Sequence, residues 1–221
     1  MPAFRFRRSL AVLVVAGLCG LAVAFGGSTP AVAGGTAPAR FKIGLIGDTG
    51  YSAADDKLLL AVQRSMATYN LAFEAHDGDI QLSGSRCTDA RLAAIRRIFF
   101  STGPAGGGPA AADLAWLNGT FDAAEAAGAA GVMIIWQDDP FLYGADQALL
   151  KALKKRTIRF GKPVVLVHGD THKHRVDKPW SDVANFTRVE TFAGDQSNQW
   201  VLATVAPGQR SVFSFGVVTA K

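Results

Sequence analysis

The chain has 221 residues, of which 49% are hydrophobic, and a formal net charge of +5. The first 33 residues hold three arginines and no acidic residue, so their removal would leave 188 residues with 20 basic and 18 acidic side chains. A chain of that length suits one domain with a sizeable core. Nothing in a net charge so close to neutral calls for nucleic acid as a partner, and we expect none.

The N-terminal segment has the pattern of a secretory signal. Three arginines precede the apolar run LAVLVVAGLCGLAVAF, and the small residues AVA end at Ala33. An uncleaved anchor would need about 20 apolar residues, and two glycines interrupt this run. We therefore predict a signal peptide at residues 1–33 and an exported domain at residues 34–221, periplasmic or extracellular, with no stable membrane anchor after cleavage.

Strands and helices alternate along the first half of the predicted domain. FKIGLIG is an apolar strand candidate, ADDKLLLAVQRSMATYN has helical periodicity, and LAFEAHDGD is a second strand candidate. Together they predict a βαβ unit with parallel strands and a right-handed crossover. A helical pattern, TDARLAAIRRIFF, follows, and the Gly/Pro-rich stretch at about residues 101–111 is predicted to be flexible.

The second half ends in consecutive strands. The helical pattern ADLAWLNGTFDAAEAAG leads into the strand candidate GVMIIW, and a helix from about Asp146 to Arg159 leads into KPVVLVHGD. NFTRVETF, QWVLATV and SVFSFGVV then alternate as antiparallel strands do. This order predicts a layered α/β protein with a mixed sheet, an N-terminal βαβ unit and C-terminal antiparallel strands.

Three of the apolar strands end in glycine beside a carboxylate or an imidazole. The first is LIGDTG with Asp48, the second is HDGDIQ with Asp79, and the third is VLVHGDTHKH with Asp170 and His172. A single Gly-Asp is more often a turn or helix-cap carboxylate. Strand carboxyl ends form the ligand-binding edge of open α/β sheets, so we expect the three clusters to converge on one sheet edge. Carboxylate oxygens and imidazole nitrogens bind divalent cations, and convergence therefore predicts a metal site.

Three further side chains are weaker candidates for the same site. His168 ends its strand and could orient a ligand or lie beneath the metals. Asp138 lies in the QDDP cluster that follows another strand, and His174 could face either a phosphate or solvent. His76 is interpreted as a histidine packed near the site.

These motifs resemble those of the calcineurin-like metallophosphoesterases, which include the purple acid phosphatases. GDTG resembles the first motif of that family, with Asp48 as a metal ligand, and DGDIQ is similar to the second, with Asp79 as the bridging ligand. VVLVHGDTH resembles the last motif, with His172 as its final imidazole and Asp170 in place of its first. The closing strands also resemble those of exported bacterial members, so the resemblance spans about residues 41–215.

The resemblance implies an exported, metal-dependent phosphoesterase-like hydrolase. It would hold one or two divalent ions, Mn, Fe or Zn, and a metal-bound hydroxide would attack a small-molecule phosphate ester. Asp48, Asp79 and His172 would contact the first metal. The second metal would share Asp79 and recruit Asp170 together with one residue of the range 137–139.

The chain departs from the family at the third motif, an Asn ligand in a Gly-Asn-His-Asp or similar loop. No such loop follows Asp79, so the resemblance implies an incomplete fold, and no residue is assigned as the general acid. The fourth motif, normally a histidine, is replaced by IIWQDDP, and Cys87 has no second cysteine in the predicted domain. One alternative is a catalytically inactive binding or interaction protein on a decayed metallophosphoesterase fold, and another is an internally deleted reading of a longer gene.

Overall fold

The computed structural model describes residues 11–15, 21–23, 39–80, 88–99, 113–142, 147–193 and 198–221. Cys87 and the stretch 101–111 lie outside these residues. The described residues form strands β1 (Ala11–Val15), β2 (Leu21–Val23), β3 (Phe41–Ile46), β4 (Phe73–His76), β5 (Gly131–Ile135), β6 (Val164–His168), β7 (Arg175–Asp177), β8 (Phe186–Glu190), β9 (Gln199–Val205) and β10 (Phe213–Thr219). Their helices are α1 (Ala53–Met66), α2 (Asp89–Phe99), α3 (Asp113–Ala126) and α4 (Gln147–Phe160).

Six strands form the larger sheet, in the order β2-β1-β5-β6-β8-β7. β5, β6 and β8 are parallel, whereas β1 and β7 pair antiparallel at either side of them. β5 and β6 are buried along their whole length, which explains their unbroken apolar sequences. β1 and β2 lie within residues 1–33, the segment predicted to be a secretory signal. The structure does not test that prediction. Among the described helices, none is long and apolar enough to cross a membrane.

Four strands form the smaller sheet, in the order β10-β9-β3-β4. β3 and β4 pair in parallel, with α1 between them in the chain, as the predicted βαβ unit requires. Ser52 caps α1, because its hydroxyl accepts hydrogen bonds from the backbone N–H groups of Ala54 and Asp55. β9 and β10 complete the sheet as antiparallel strands.

The two sheets pack face to face between outer helices. Alternate residues of β5 point to opposite sides, so that Met133 and Ile135 join a core with the smaller sheet while Val132 and Ile134 join a core with α3 and α4. A third core joins α1 to the outer face of the smaller sheet around Trp200. The protein is therefore layered as helices, larger sheet, smaller sheet and helix, and the predicted layered α/β class is confirmed.

Two details of the predicted topology need correction. The three motif-bearing strands do not share one sheet edge, because β3 and β4 belong to the smaller sheet and β6 belongs to the larger. β8 is antiparallel to β7 as expected of a closing strand, but it is parallel to β6 on its other side. The first difference arises because β5 and β6 are apolar on both faces, so each buries one face against helices and the other against a second sheet.

Candidate metal centre

The turns that follow β3 and β4 are hydrogen-bonded to each other. The backbone N–H of Asp48 donates to the carbonyl of Gly78 at 3.2 Å, and that of Thr49 donates to the carbonyl of Asp79 at 3.0 Å. Asp48 is fully buried, whereas Asp79 is exposed. The parallel βαβ unit thus brings the first two predicted ligands to the carboxyl end of the smaller sheet.

The turn that follows β6 joins them from the larger sheet. The backbone N–H of Asp170 donates to Asp48 Oδ2 at 2.8 Å. Gly169 permits this approach, since a Cβ at that position would overlap the Asp48 carboxylate. The Gly-Asp pairs of the sequence therefore meet across the junction of the two sheets rather than along one sheet.

The four principal candidates share an uncommon backbone conformation. Among the described residues, five non-glycine residues have a positive φ, and four of them are Asp48 (48°), Asp79 (52°), Asp170 (87°) and His172 (60°). Asp and His are enriched in this left-handed region, but each such residue costs on the order of 1 kcal/mol and persists only where its surroundings enforce it. Strain of this kind collects at binding and active sites.

Tyr51 links the predicted ligands and was missed in the sequence. Its hydroxyl donates to Asp79 Oδ2 at 2.6 Å and lies 3.5 Å from Asp48 Oδ1. Its ring stacks on His172, with centroids 6.0 Å apart and planes inclined by 22°. The signal available in the sequence was its place in the same turn, three residues after Asp48.

The electrostatics of this group suit a cation. The pKa of Asp48 is raised to about 6. Burial is the largest cause, and the carboxylates of Asp79 and Asp170 act in the same direction, whereas the Asp170 N–H and His172 act against it. A divalent ion would relieve both the burial and the mutual repulsion of the carboxylates. Three carboxylates and one imidazole are also a donor set that Mn, Fe and Zn accept. The donor types present therefore fit a metal. Among the described residues, however, ligand atoms of three residues lie within 4.8 Å of one another at Asp139, His168 and Glu190, and not among these four.

His76 and Asp77 support the turns from beneath. The Gly78 N–H donates to His76 Nδ1 at 3.1 Å, so the other ring nitrogen, Nε2, carries the proton that it shares with Thr49 Oγ1 at 2.7 Å. Burial lowers the pKa of His76 to about 4, which keeps the ring neutral. Asp77 is buried, accepts from Thr191 Oγ1 at 2.7 Å, and has a pKa raised well above its usual value by burial and by Asp48.

A second group of ligand-type atoms lies at the ends of β5, β6 and β8. Oxygen or nitrogen atoms of Asp139, His168 and Glu190 lie within 4.8 Å of one another, and all three residues are buried. Arg175 Nη2 contacts Asp139 Oδ2 at 2.9 Å and Glu190 Oε2 at 2.5 Å, and Arg188 Nη1 lies 3.5 Å from Asp139 Oδ2. We call these five residues the arginine-paired cluster. By their spacing Asp139, His168 and Glu190 could hold a metal ion, but two guanidinium groups already pair with the carboxylates, and a metal there would have to displace them.

The weaker candidates divide between the two groups. His168 belongs to the arginine-paired cluster: its Nδ1 donates to the Gly169 carbonyl at 2.7 Å, and burial lowers its pKa. Its buried Nε2 has no hydrogen-bond partner within the described residues. His174 donates from Nδ1 to the Glu190 carbonyl at 2.6 Å and stacks on Phe192, so the fold itself uses this imidazole.

Asp138 and its neighbour lie in the turn after β5. Asp138 is half-buried, while the backbone N–H of Asp139 donates to Asp170 Oδ2 at 3.1 Å. The turn is thus in contact with the metal-centre candidate through its backbone. Asn118 lies on α3, where its side-chain amide donates to the Leu114 carbonyl at 3.0 Å.

Comparisons with known proteins add little to this geometry. No protein-family model matches the chain, and a search of curated proteins finds no significant match. Among solved structures, the chain is similar to Vacuolar Protein Sorting 29 from Cryptosporidium parvum at 14% sequence identity. The alignment covers 82% of this chain and 99% of that one, with a TM-score of 0.37. This similarity is too weak to support an argument about function.

Proposed function

We propose that this chain is a metal-dependent phosphoesterase-like protein with a centre formed by Asp48, Asp79, Asp170 and His172. One observation carries the proposal. Three separate turns deliver these four residues to the junction of the two sheets, and all four adopt the left-handed conformation that binding sites tolerate. Turn or cap carboxylates with no shared role have no reason to meet in this way.

The side chains of the centre would divide the work of holding an ion. Asp48, buried and oriented by the Asp170 N–H, would supply a fixed carboxylate, while the exposed Asp79 would lie on the solvent side. The Tyr51 hydroxyl would orient Asp79 through its 2.6 Å hydrogen bond. A bound divalent ion would supply an activated water and polarise a phosphoryl oxygen. We assign no described residue as the proton donor to a leaving group.

The substrate we propose is a small-molecule phosphate ester, met outside the cytoplasm after export. The near-neutral charge of residues 34–221 favours such a substrate over nucleic acid. Export rests on the N-terminal sequence pattern alone.

The test is to load the purified chain with Mn²⁺, Fe²⁺ or Zn²⁺ and to measure hydrolysis of an activated phosphomonoester and an activated phosphodiester. We expect metal-dependent turnover that falls by at least about 100-fold in Asp48→Asn, because a lost ligand impairs both binding and charge stabilisation. Equal hydrolysis rates in the wild type and Asp48→Asn would refute the proposed enzymatic activity.

A binding protein on the same fold is the second candidate. It is favoured by one contact, the hydrogen bond from the Asp139 N–H to Asp170 Oδ2, which occupies an oxygen that a second metal would need. This candidate predicts that elemental analysis finds no more than one metal per chain and that no turnover accompanies it. Two metals per chain with turnover would exclude it.

A further inference from the structure

One buried carboxylate contacts the loop that carries two of the four proposed ligands. Glu190 ends β8 and is fully buried. Its Oε1 accepts hydrogen bonds from both the backbone N–H, at 3.1 Å, and the hydroxyl of Thr171, and it lies 3.4 Å from the N–H of Lys173. Thr171 lies between Asp170 and His172, and Lys173 follows His172. Glu190 Oε1 therefore contacts the loop at one residue between the two proposed ligands and at the residue directly after them.

The other side of Glu190 fixes the end of the loop. Its Oε2 accepts from Arg175 Nε at 2.6 Å and from Nη2 at 2.5 Å, and its carbonyl oxygen accepts from His174 Nδ1 at 2.6 Å. Arg175 also donates to Thr171 Oγ1 at 3.2 Å. Glu190 thus contacts the loop at Thr171, Lys173 and His174 and then the first residue of β7.

These contacts account for a conformation that would otherwise relax. Asp170 and His172 both have positive φ, and such residues stay in place only where the surrounding structure enforces them. A fully buried carboxylate is costly unless all its acceptor positions are used, and charge-assisted hydrogen bonds are the strongest means of using them. The same bonds that compensate the burial of Glu190 therefore hold the ligand loop.

We infer that Glu190 is a positioning residue that holds Asp170 and His172 in their ligand conformation while contacting neither metal nor substrate. The inference rests on the proposed function. Its role differs from that of a general stabiliser, because it predicts an effect on metal affinity beyond the loss of folding stability.

The test compares Glu190→Gln with a control in the same pair of strands. Glutamine has the same shape but only one acceptor oxygen, so either the loop N–H groups or Arg175 would face an amide NH₂. We expect the Mn²⁺ dissociation constant, measured by calorimetry well below the melting temperature, to rise by about 10- to 100-fold.

The control is Asp177→Asn. It weakens the paired hydrogen bonds of Asp177 with Arg188, at 2.8 and 2.5 Å, without touching residues 169–174. We expect it to lower the melting temperature and to change Mn²⁺ affinity by less than about threefold. Unchanged affinity in Glu190→Gln beside a loss in Asp48→Asn would overturn the inference and leave the proposed function intact.

Hydrogen exchange of the metal-free chain separates the two proposals further. If the wild-type chain binds no Mn²⁺, the proposed function fails, but the amides of residues 169–175 must still exchange faster in Glu190→Gln than in Asp177→Asn. Equal exchange would overturn the inference. Should Glu190→Gln not fold, Thr171→Val removes one donor to Glu190, and we expect it to weaken Mn²⁺ binding by about fivefold.

Discussion

Two neighbouring clusters offer the same kinds of ligand atom, but the groups that hydrogen-bond to their carboxylates differ in charge. In the candidate metal centre, Asp48 accepts from the Asp170 N–H and Asp79 from the Tyr51 hydroxyl, both neutral donors. In the arginine-paired cluster, two guanidinium groups contact the buried carboxylates. Proximity of carboxylates and histidines therefore does not by itself mark a metal site. A metal site is marked instead by negative charge on the carboxylates that no neighbouring cation compensates.

Removal of the cation from the arginine-paired cluster should have the largest effect. Arg175→Met leaves Asp139 and Glu190 buried with less compensation, and we expect the free energy of unfolding to fall by about 3 kcal/mol. Urea denaturation measures it. Arg159→Met is the control, because it breaks an exposed ion pair with Glu125 and should cost less than about 0.5 kcal/mol. A loss as small as the control's would mean that the arginines do not neutralise the cluster.

The same substitution in each cluster should separate metal binding from stability. We expect Asp48→Asn to weaken Mn²⁺ or Zn²⁺ binding by at least about 100-fold, since even residues behind the ligands typically contribute 10- to 100-fold. Asp139→Asn keeps the backbone N–H that meets Asp170 and should change the affinity by less than about threefold. Titration calorimetry measures the metal affinity of both variants. A larger loss of affinity in Asp139→Asn than in Asp48→Asn would place the metal in the arginine-paired cluster instead.

The neutral His76 should give the metal-centre turns a pH dependence of their own. Its pKa is about 4 in the folded chain against 6.5 as the ordinary value, so its contribution is complete above pH 6.5 and is lost as the pH falls toward 4. Between pH 7 and pH 5 we expect it to account for a loss of about 2 kcal/mol in the free energy of unfolding.

The comparison that isolates this effect uses His76→Asn, whose Oδ1 can accept from the Gly78 N–H but does not titrate in this range. Asp48 and Asp77, with raised pKa values, favour the folded chain as the pH falls, and the difference between wild type and variant cancels them. Parallel pH profiles for the two proteins would contradict the assigned role of His76.

The smallest effect should come from the neutral donor of the candidate centre. Tyr51→Phe removes the hydrogen bond to Asp79 and should lower the free energy of unfolding by about 1 kcal/mol. This is less than for Arg175→Met because the lost donor is uncharged and Asp79 is exposed. Thermal and urea unfolding without metal provide the measurement. A loss of unfolding free energy as large as that of Arg175→Met would contradict the distinction between carboxylates held by neutral donors and carboxylates paired with arginines.

Much of the fold could be predicted because single strands and helices carry their own patterns. The unbroken apolar runs at Gly131–Ile135 and Val164–His168 became buried strands, and the periodic segments became helices. The division into two sheets could not be predicted. A strand that is apolar on both faces does not indicate whether a helix or a second sheet covers each face.

The candidate centre was predicted in part for a related reason. Asp48, Asp79 and Asp170 each follow a strand within a short motif, so local sequence was sufficient to select them. Asp139 and Glu190 acquire their roles from Arg175, which is 36 and 15 residues away along the chain. Partners so distant leave no periodic signal, and Tyr51 gave only a weak one through its place in the first turn.

The pairing of β1 with β5 has a consequence for export. If residues 1–33 are cleaved, the larger sheet loses β1 and β2, and one side of β5 at Gly131–Ile135 no longer has strand partners from that segment. A freshly exposed edge of apolar sequence is a template for further strands. Secretion and completion of the sheet would then compete for the same residues, and processing of the leader would be the step that opens the edge of the domain to other chains.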